Sequence, residues 1–179
     1  RGDCYKSKFY GIRSWLCCQM TPCLVCTNQC RFCWRVFSAG TSDSFNLDMD
    51  EPDDIIDGCI AAQKKLLTGF GGNTLINRKK FEQSKEPMHF AISLAGEPTM
   101  YPKLSMLIKK LHERGKTTFL VTNGQFPSAL ESIEPPTQLY ISLDAGNKET
   151  YKKIDRPVFR DYWARLLKSL EIMKKLRHK

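Results

Sequence analysis

Three thiols stand at C-x3-C-x2-C spacing in Cys26-Thr-Asn-Gln-Cys30-Arg-Phe-Cys33, and Trp34 follows the last of them. Iron–sulfur clusters are held by cysteine thiolates, usually four. Three close cysteines would close three corners of a cubane and leave one iron open to a substrate or cofactor. The competing reading is a structural zinc knuckle. Zinc sites favour four ligands in C-x2-C pairs, which the x3 gap fits poorly. Of the eight cysteines, six lie between Cys4 and Cys30, Cys33 is close behind, and none follows Cys59. Disulfide frameworks belong to short secreted chains, so a local cluster points to metal instead.

Other polar runs carry weaker chemistry. Gly96-Glu97-Pro98, Thr122-Asn123-Gly124-Gln125 and Ser142-Leu-Asp144-Ala-Gly146 are each a turn when taken alone. Ser142 is equally suited to a core position, and Asp144 to capping a turn. What raises these runs is the element that precedes each. Met88–Leu94, Thr117–Val121 and Gln138–Leu143 are apolar or β-branched and read as strands, and a further strand is expected just before Cys26. Helices are expected over Asp53–Leu67, Lys103–Arg114 (ended by Gly115), Ser128–Ile133, Lys148–Ile154 and Asp161–Arg177. Residues 69–87 read as an exposed polar insertion. Alternating strands and helices give an α/β chain of about four β/α units with a parallel sheet. In such folds the site lies at the carboxyl ends of the strands, where all four runs fall.

Length and composition agree. The 179 residues suit one domain with a real core, and 41% hydrophobic with 26% charged residues is ordinary for a globular protein. No run approaches the roughly 18 apolar residues of a membrane helix, and no secretory signal is visible, so a cytoplasmic protein is expected. The net charge of +9 attracts polyanions, chiefly nucleic acid, although a solvated lysine-rich surface explains it as well.

The cysteine triplet followed by an aromatic residue resembles the radical S-adenosylmethionine superfamily. The resemblance implies a partial (β/α)6 barrel and a 4Fe–4S cluster on Cys26, Cys30 and Cys33. The open iron would chelate S-adenosylmethionine, and one electron would cleave it to a 5′-deoxyadenosyl radical. Gly96-Glu97 looks like the motif that borders the cofactor's ammonium group. Asn123, Ser142 and Asp144 become candidate contacts to its ribose or methionyl part.

A closer resemblance rests on a set of runs: Gly2-Asp-Cys4-Tyr-Lys6, Phe9-Tyr-Gly-Ile12, Gln19-Met-Thr-Pro22, Cys33-Trp-Arg35, Ser93–Pro98, Met100-Tyr-Pro102, Val121–Pro127 and Lys153-Ile-Asp-Arg-Pro157. Together they are similar to the tRNA 4-demethylwyosine synthase family, nearly end to end. That family condenses pyruvate-derived carbons with N1-methylguanosine beside the anticodon of phenylalanine tRNA. The implied partners are that tRNA, pyruvate and an electron donor of the reductase or flavodoxin type. A second 4Fe–4S cluster is implied on Cys4 and Cys17, with its third ligand before Arg1 or replaced by Cys18 or Cys23; free buried thiols are the alternative. Cys59 is expected in the core. Lys6 becomes the candidate for a Schiff base with pyruvate, although a lysine taken at random is a surface charge.

Arg13, Arg35 and Arg156, with Tyr10, Trp15 and Trp34, are candidates to hold tRNA phosphates and stack an extruded base, whereas Trp163 and Phe119 are expected in the core. Residues 1–179 are taken as one radical-SAM domain, partial at its C-terminal side. Residues 1–25 are expected to form an extension bearing auxiliary cysteines, and no flavodoxin-like domain is expected within residues 1–179. Two rival functions remain at this stage: a radical enzyme with another substrate, and a non-catalytic iron–sulfur or zinc module that binds nucleic acid.

Overall fold

A computed structural model describes residues 4–35, 40–44 and 48–176. Gly2 and Asp3 of the first motif, and Arg177 to Lys179 of the basic tail, lie outside the described residues.

Among these residues, four strands form one parallel sheet in the order β1-β2-β3-β4: Cys17–Met20, His89–Ile92, Thr117–Thr122 and Gln138–Ile141. Seven helices accompany them: α1 Tyr5–Tyr10, α2 Pro52–Leu66, α3 Arg78–Ser84, α4 Leu104–Glu113, α5 Pro127–Glu131, α6 Lys148–Asp155 and α7 Tyr162–Leu176.

The long helices follow from local chemistry. In α2, Pro52 at the first turn and Asp53 and Asp54 beside it suit the helix N-terminus, and Lys64 and Lys65 suit its last turn. In α4, Leu104, Leu107, Ile108 and Leu111 repeat at i, i+3, i+4 and i+7 and bury one face. Gly115 ends that helix in the left-handed region, where the Gly115 N–H reaches the His112 carbonyl and the Lys116 N–H reaches that of Leu111. Leu107, Ile108 and Leu111 are 0% exposed, and burying each is worth about 1.5–3 kcal/mol. They pack with Phe90, Ile92 and Leu120 from the outer face of the sheet and with Ile56 from α2. A smaller core joins Tyr151, Tyr162 and Leu166 under the far edge.

Strand alternation leaves the opposite face of the sheet only partly covered. Thr117, Phe119 and Val121 of β3 point to this face, while Thr118, Leu120 and Thr122 are buried on the other. The α/β class and the parallel sheet of about four units are as expected.

Three local features differ. The strand expected just before Cys26 ends at Met20, and Thr21–Val25 bridges to the cysteine loop. Residues 5–10 are helical although only six residues long. The stretch 69–87 is not merely an exposed insertion, because α3 packs on the turn at Ser14–Leu16 and the Trp15 indole donates to Gln83 at 3.0 Å.

Candidate active site

Four loops meet at the carboxyl ends of the strands. Their pocket has a volume of about 210 Å³, and Cys26, Cys30 and Cys33 line it together with Gly96, Asn123 and Asp144; Glu97 and Ser142 also border it. Every residue expected at the cluster and the cofactor is thereby brought to one place.

Gly96 is the tightest joint. It adopts φ +67°, and a Cβ there would stand 2.1 Å from the Cys23 carbonyl oxygen and 2.7 Å from the Leu24 carbonyl carbon. Only glycine lets the chain leading into the cysteine loop pass this close. The Glu97 N–H donates to the Val25 carbonyl at 2.8 Å, and the Thr21 hydroxyl to the Ala95 carbonyl at 2.6 Å, so the two loops are stitched on both sides of the glycine.

Glu97 is 1% exposed, and its carboxylate accepts four hydrogen bonds. Thr99 donates through its N–H at 3.0 Å and its hydroxyl at 2.5 Å, Thr122 through its hydroxyl at 2.6 Å, and Asn123 through its N–H at 2.8 Å. Three of these donors reach Oε1 and one, the Asn123 N–H, reaches Oε2, so Glu97 ties the loop after β3 to its own loop. Burial pushes its pKa up, and the four hydrogen bonds oppose that shift. Asn123, held in this way, sends its amide to Thr27 Oγ1 at 2.9 Å and lies 3.7 Å from Cys26 Sγ.

The cysteine loop is anchored from beneath as well. Arg35 is buried and donates to the carbonyls of Leu24 and Gly40 at 2.9 Å and of Asn28 at 3.2 Å. It shapes the loop and is not placed to receive an RNA phosphate. On the other side the chain after α6 runs against the loop. Gln29 N–H meets the Asp155 carbonyl at 3.0 Å, Arg31 N–H that of Ile154 at 2.9 Å, and Val158 N–H donates to Thr27 at 2.9 Å. The Cys30 thiol donates to Asp155 Oδ1 at 3.2 Å. Burial first, and then the Asp155 hydrogen bond, push the Cys30 pKa up. Burial takes Cys26 up to about 11. Both are thiols at neutral pH and must lose protons to bind a metal.

Lys6 occupies a second, smaller pocket of about 150 Å³ at the amino ends of the strands, with Tyr10, Cys17, His89 and Phe119. The lysine is buried in α1, with Nζ 4.7 Å from the centre of the Phe119 ring. Phe119 is therefore a wall of the partly covered face, not core, while Trp163 does pack into the smaller core beside Tyr151. Cys17 faces this pocket, and burial pushes its pKa up while nearby Lys6 opposes the rise. Cys4 is exposed. Cys18, one residue on, points through the sheet into the core toward Cys59, and Cys23 lies under Gly96. Neither joins Cys4 and Cys17.

The aromatic candidates separate in the same way. Trp34 is 72% exposed and Phe32 62% exposed on the rim of the upper pocket, whereas Trp15 and Tyr10 belong to the lower end.

The model of the radical SAM superfamily matches residues 20–179. The chain belongs to that superfamily. Membership implies a 4Fe–4S cluster and S-adenosylmethionine. Three thiols in a glycine-floored pocket at the strand ends suit that pair.

Among curated relatives, the chain is 46% identical over 178 residues to the S-adenosyl-L-methionine-dependent tRNA 4-demethylwyosine synthase of Pyrococcus abyssi, covering 97% of this chain and 52% of that protein. It is 43% identical over 173 residues to the mouse protein TYW1 of the same name, covering 97% and 24%. Among solved structures it matches TYW1 with a lysine–pyruvate adduct bound, at TM-score 0.86 and 43% identity over 97% of this chain and 57% of that one. It also matches archaeal TYW1 at TM-score 0.78 and 39% identity, again over 97% and 57%. The chain thus spans about half the length of its archaeal relatives and about a quarter of the mouse one.

Asp155 carries no local signal in the sequence. The run Lys153-Ile-Asp-Arg-Pro157 stood out as a motif, but nothing in it announced a buried carboxylate against Cys30.

Proposed function

We propose that this chain is the radical-SAM part of a tRNA 4-demethylwyosine synthase, which builds a tricyclic base from N1-methylguanosine in phenylalanine tRNA and pyruvate-derived carbons. One observation carries the reading furthest: residues on the same face of the sheet line both the cysteine pocket and the Lys6 pocket. Ser93 and Val121 line the upper pocket, and Ala91 and Phe119 line the lower one. Alternate residues on a strand share a face and stand about 7 Å apart. A small substrate held at the lower pocket thus borders the space in front of the thiols.

In this reading Cys26, Cys30 and Cys33 hold the 4Fe–4S cluster. The loop at Gly96, with Asn123, Ser142 and Asp144, holds S-adenosylmethionine, while Glu97 fixes Asn123 from behind. Together the cluster and cofactor supply one-electron reductive cleavage of the cofactor, driven by a donor of the flavodoxin or reductase type. Lys6 binds pyruvate as a Schiff base: its amine adds to the keto carbon and water leaves. Lys6 is itself only 6% exposed and lies against the Phe119 ring, which limits the bulk water that could reverse that step. Trp34 and Phe32 offer flat apolar surfaces on which an extruded base stacks, and the charge of +9 favours the tRNA as a whole. Cys4 and Cys17 supply two ligands of a second 4Fe–4S cluster beside Lys6.

The test is anaerobic turnover of the reconstituted chain with N1-methylguanosine-containing tRNA, S-adenosylmethionine and pyruvate. Tricyclic base is expected. Cofactor cleavage with no tricyclic base, even with the full-length archaeal relative as a positive control, would refute the substrate assignment.

A further inference from the structure

Five cations stand exposed beside the cysteine pocket: Arg31 in the cysteine loop, Lys152 and Lys153 on α6, and Arg156 and Arg160 on the chain after it. Backbone hydrogen bonds hold these two segments together. Gln29 N–H reaches the Asp155 carbonyl at 3.0 Å, Arg31 N–H that of Ile154 at 2.9 Å, and Val158 N–H returns to Thr27 at 2.9 Å. These contacts are all backbone, so the juxtaposition does not depend on the state of any thiol. The exposed rings of Phe32 and Trp34 stand on the same loop, at the rim of the pocket.

Two features separate this patch from an ordinary solvated face. The first is pairing. Elsewhere on the surface cations meet carboxylates: Lys103 pairs with Glu51, Lys110 with Asp53, Arg114 with Asp53 and Asp57, and Arg165 with Asp161. Arg31, Lys152, Lys153, Arg156 and Arg160 take part in no ion pair and no side-chain hydrogen bond among the described residues. On α6 itself the one exposed carboxylate is Glu149, in the first turn. The second feature is conformation. Arg156 sits at φ 47° and ψ 58°, and every other described residue at positive φ is a glycine. A side chain in this left-handed region costs about 1–2 kcal/mol. The exposed guanidinium of Arg156 offsets none of that with a polar contact inside the fold. Glycine would end the helix as well, so the arginine is placed for something outside the chain.

We propose that this patch is the docking surface for the phosphates of the tRNA anticodon arm, on the α6 side of the pocket that takes the target base. The inference rests on the tRNA reading above. Neighbouring, unpaired cations suit a polyphosphate, whose condensed counterions they displace. The planar fork of an arginine matches a phosphate with two parallel hydrogen bonds. Exposed Phe32 and Trp34 beside the cations favour RNA over an acidic donor protein, since such rings stack unpaired bases.

The experiment measures binding of the anticodon stem-loop of phenylalanine tRNA, carrying N1-methylguanosine, by fluorescence anisotropy over a series of salt concentrations. Wild type is compared with Arg156→Gly, Arg156→Lys and a triple variant combining Lys152→Ala, Lys153→Ala and Arg156→Gly, and Tm is read by calorimetry. Arg156→Gly is expected to weaken binding about fivefold, the loss of about one phosphate contact. Its Tm should hold or rise, because glycine accepts φ 47° without strain. Arg156→Lys, which keeps the charge, should keep the wild-type salt slope. The triple variant should bind at least roughly tenfold more weakly, with a slope of log affinity against log salt shallower by about 3. Wild-type affinity and slope in the triple variant would overturn the proposal. So would a Tm several degrees lower in Arg156→Gly, which would assign the guanidinium to the fold. Unchanged RNA binding, with S-adenosylmethionine cleavage lost under a flavodoxin system but kept under dithionite, would give the patch to the electron donor instead. A wild-type chain that binds no stem-loop would overturn the tRNA reading itself, a separable result because it precedes any substitution.

Discussion

The Gly96 backbone and the Cys23 carbonyl oxygen stand so close that a Cβ on Gly96 would lie 2.1 Å from that oxygen. The obstacle is backbone, which cannot rotate aside as a side-chain tip can. Gly96→Ala must therefore move the strand-end loop or the cysteine loop. Overpacking costs about 1–3 kcal/mol, and left-handed strain costs about as much again. The expected outcome is a fall in Tm of several degrees, together with poor iron uptake on reconstitution. Calorimetry and iron analysis check it; unchanged values in both would show that the two loops are not rigidly joined.

Glu97 gives a prediction about pH. Its four accepted hydrogen bonds suit a carboxylate, and an amide in its place would turn an NH2 toward at least one donor. Glu97→Gln is expected to cost about 1–3 kcal/mol for the unsatisfied groups. Burial holds the folded pKa above the usual 4.5. Between 4.5 and that raised value the folded state keeps a proton that the unfolded chain has lost, so this group's contribution to stability falls as pH rises through the window. Urea unfolding of wild type at a series of pH values should show that downward slope relative to Glu97→Gln. Parallel curves would mean that Glu97 titrates normally.

Much of this was legible in the chain because it follows from periodicity. The pattern of Leu104, Leu107, Ile108 and Leu111 fixes α4, and the β-branched run at Thr117–Val121 fixes β3. Placing the polar runs after the strands brought the thiols, Gly96, Asn123 and Asp144 to one end without coordinates. What escaped depends on long-range partners. Nothing local shows that the carbonyls of Leu24, Asn28 and Gly40 converge on Arg35, so it read as a phosphate contact. Helix α1 is too short to show a period, and the Trp15–Gln83 bond that docks α3 spans 68 residues. Asp155 is hidden for the same reason, since its meaning lies in Cys30, 125 residues away.

Trp34 is 72% exposed on the rim of the site, where a flat ring has little to stabilise in the fold itself. Trp34→Ala should leave Tm and iron content within error. Stacking of a base on an aromatic ring is worth about 1–3 kcal/mol, so tRNA affinity should drop roughly tenfold or more. Binding measured against salt separates the two contributions: the slope set by lysine and arginine stays the same, while the whole line shifts. A tRNA affinity unchanged by the substitution would place the base elsewhere.

Lys6 provides the sharpest separation of substrate from cofactor chemistry. Its pocket lies at the amino ends of the strands and shares no lining residue with the cysteine pocket. Borohydride reduces an imine to a stable amine, so pyruvate bound as a Schiff base becomes a permanent mass increase on Lys6. That step needs neither iron nor S-adenosylmethionine. Wild type should therefore be labelled even after Cys30→Ala has removed the cluster, and Lys6→Ala should stay unlabelled while keeping wild-type iron. Lys6→Arg is the informative control, since it preserves charge and the contact with Phe119 but cannot form the imine under these conditions. Labelling of wild type at another lysine would move the pyruvate site away from α1. Loss of iron in Lys6→Ala would show instead that Lys6 also supports the second cluster proposed on the neighbouring Cys4 and Cys17.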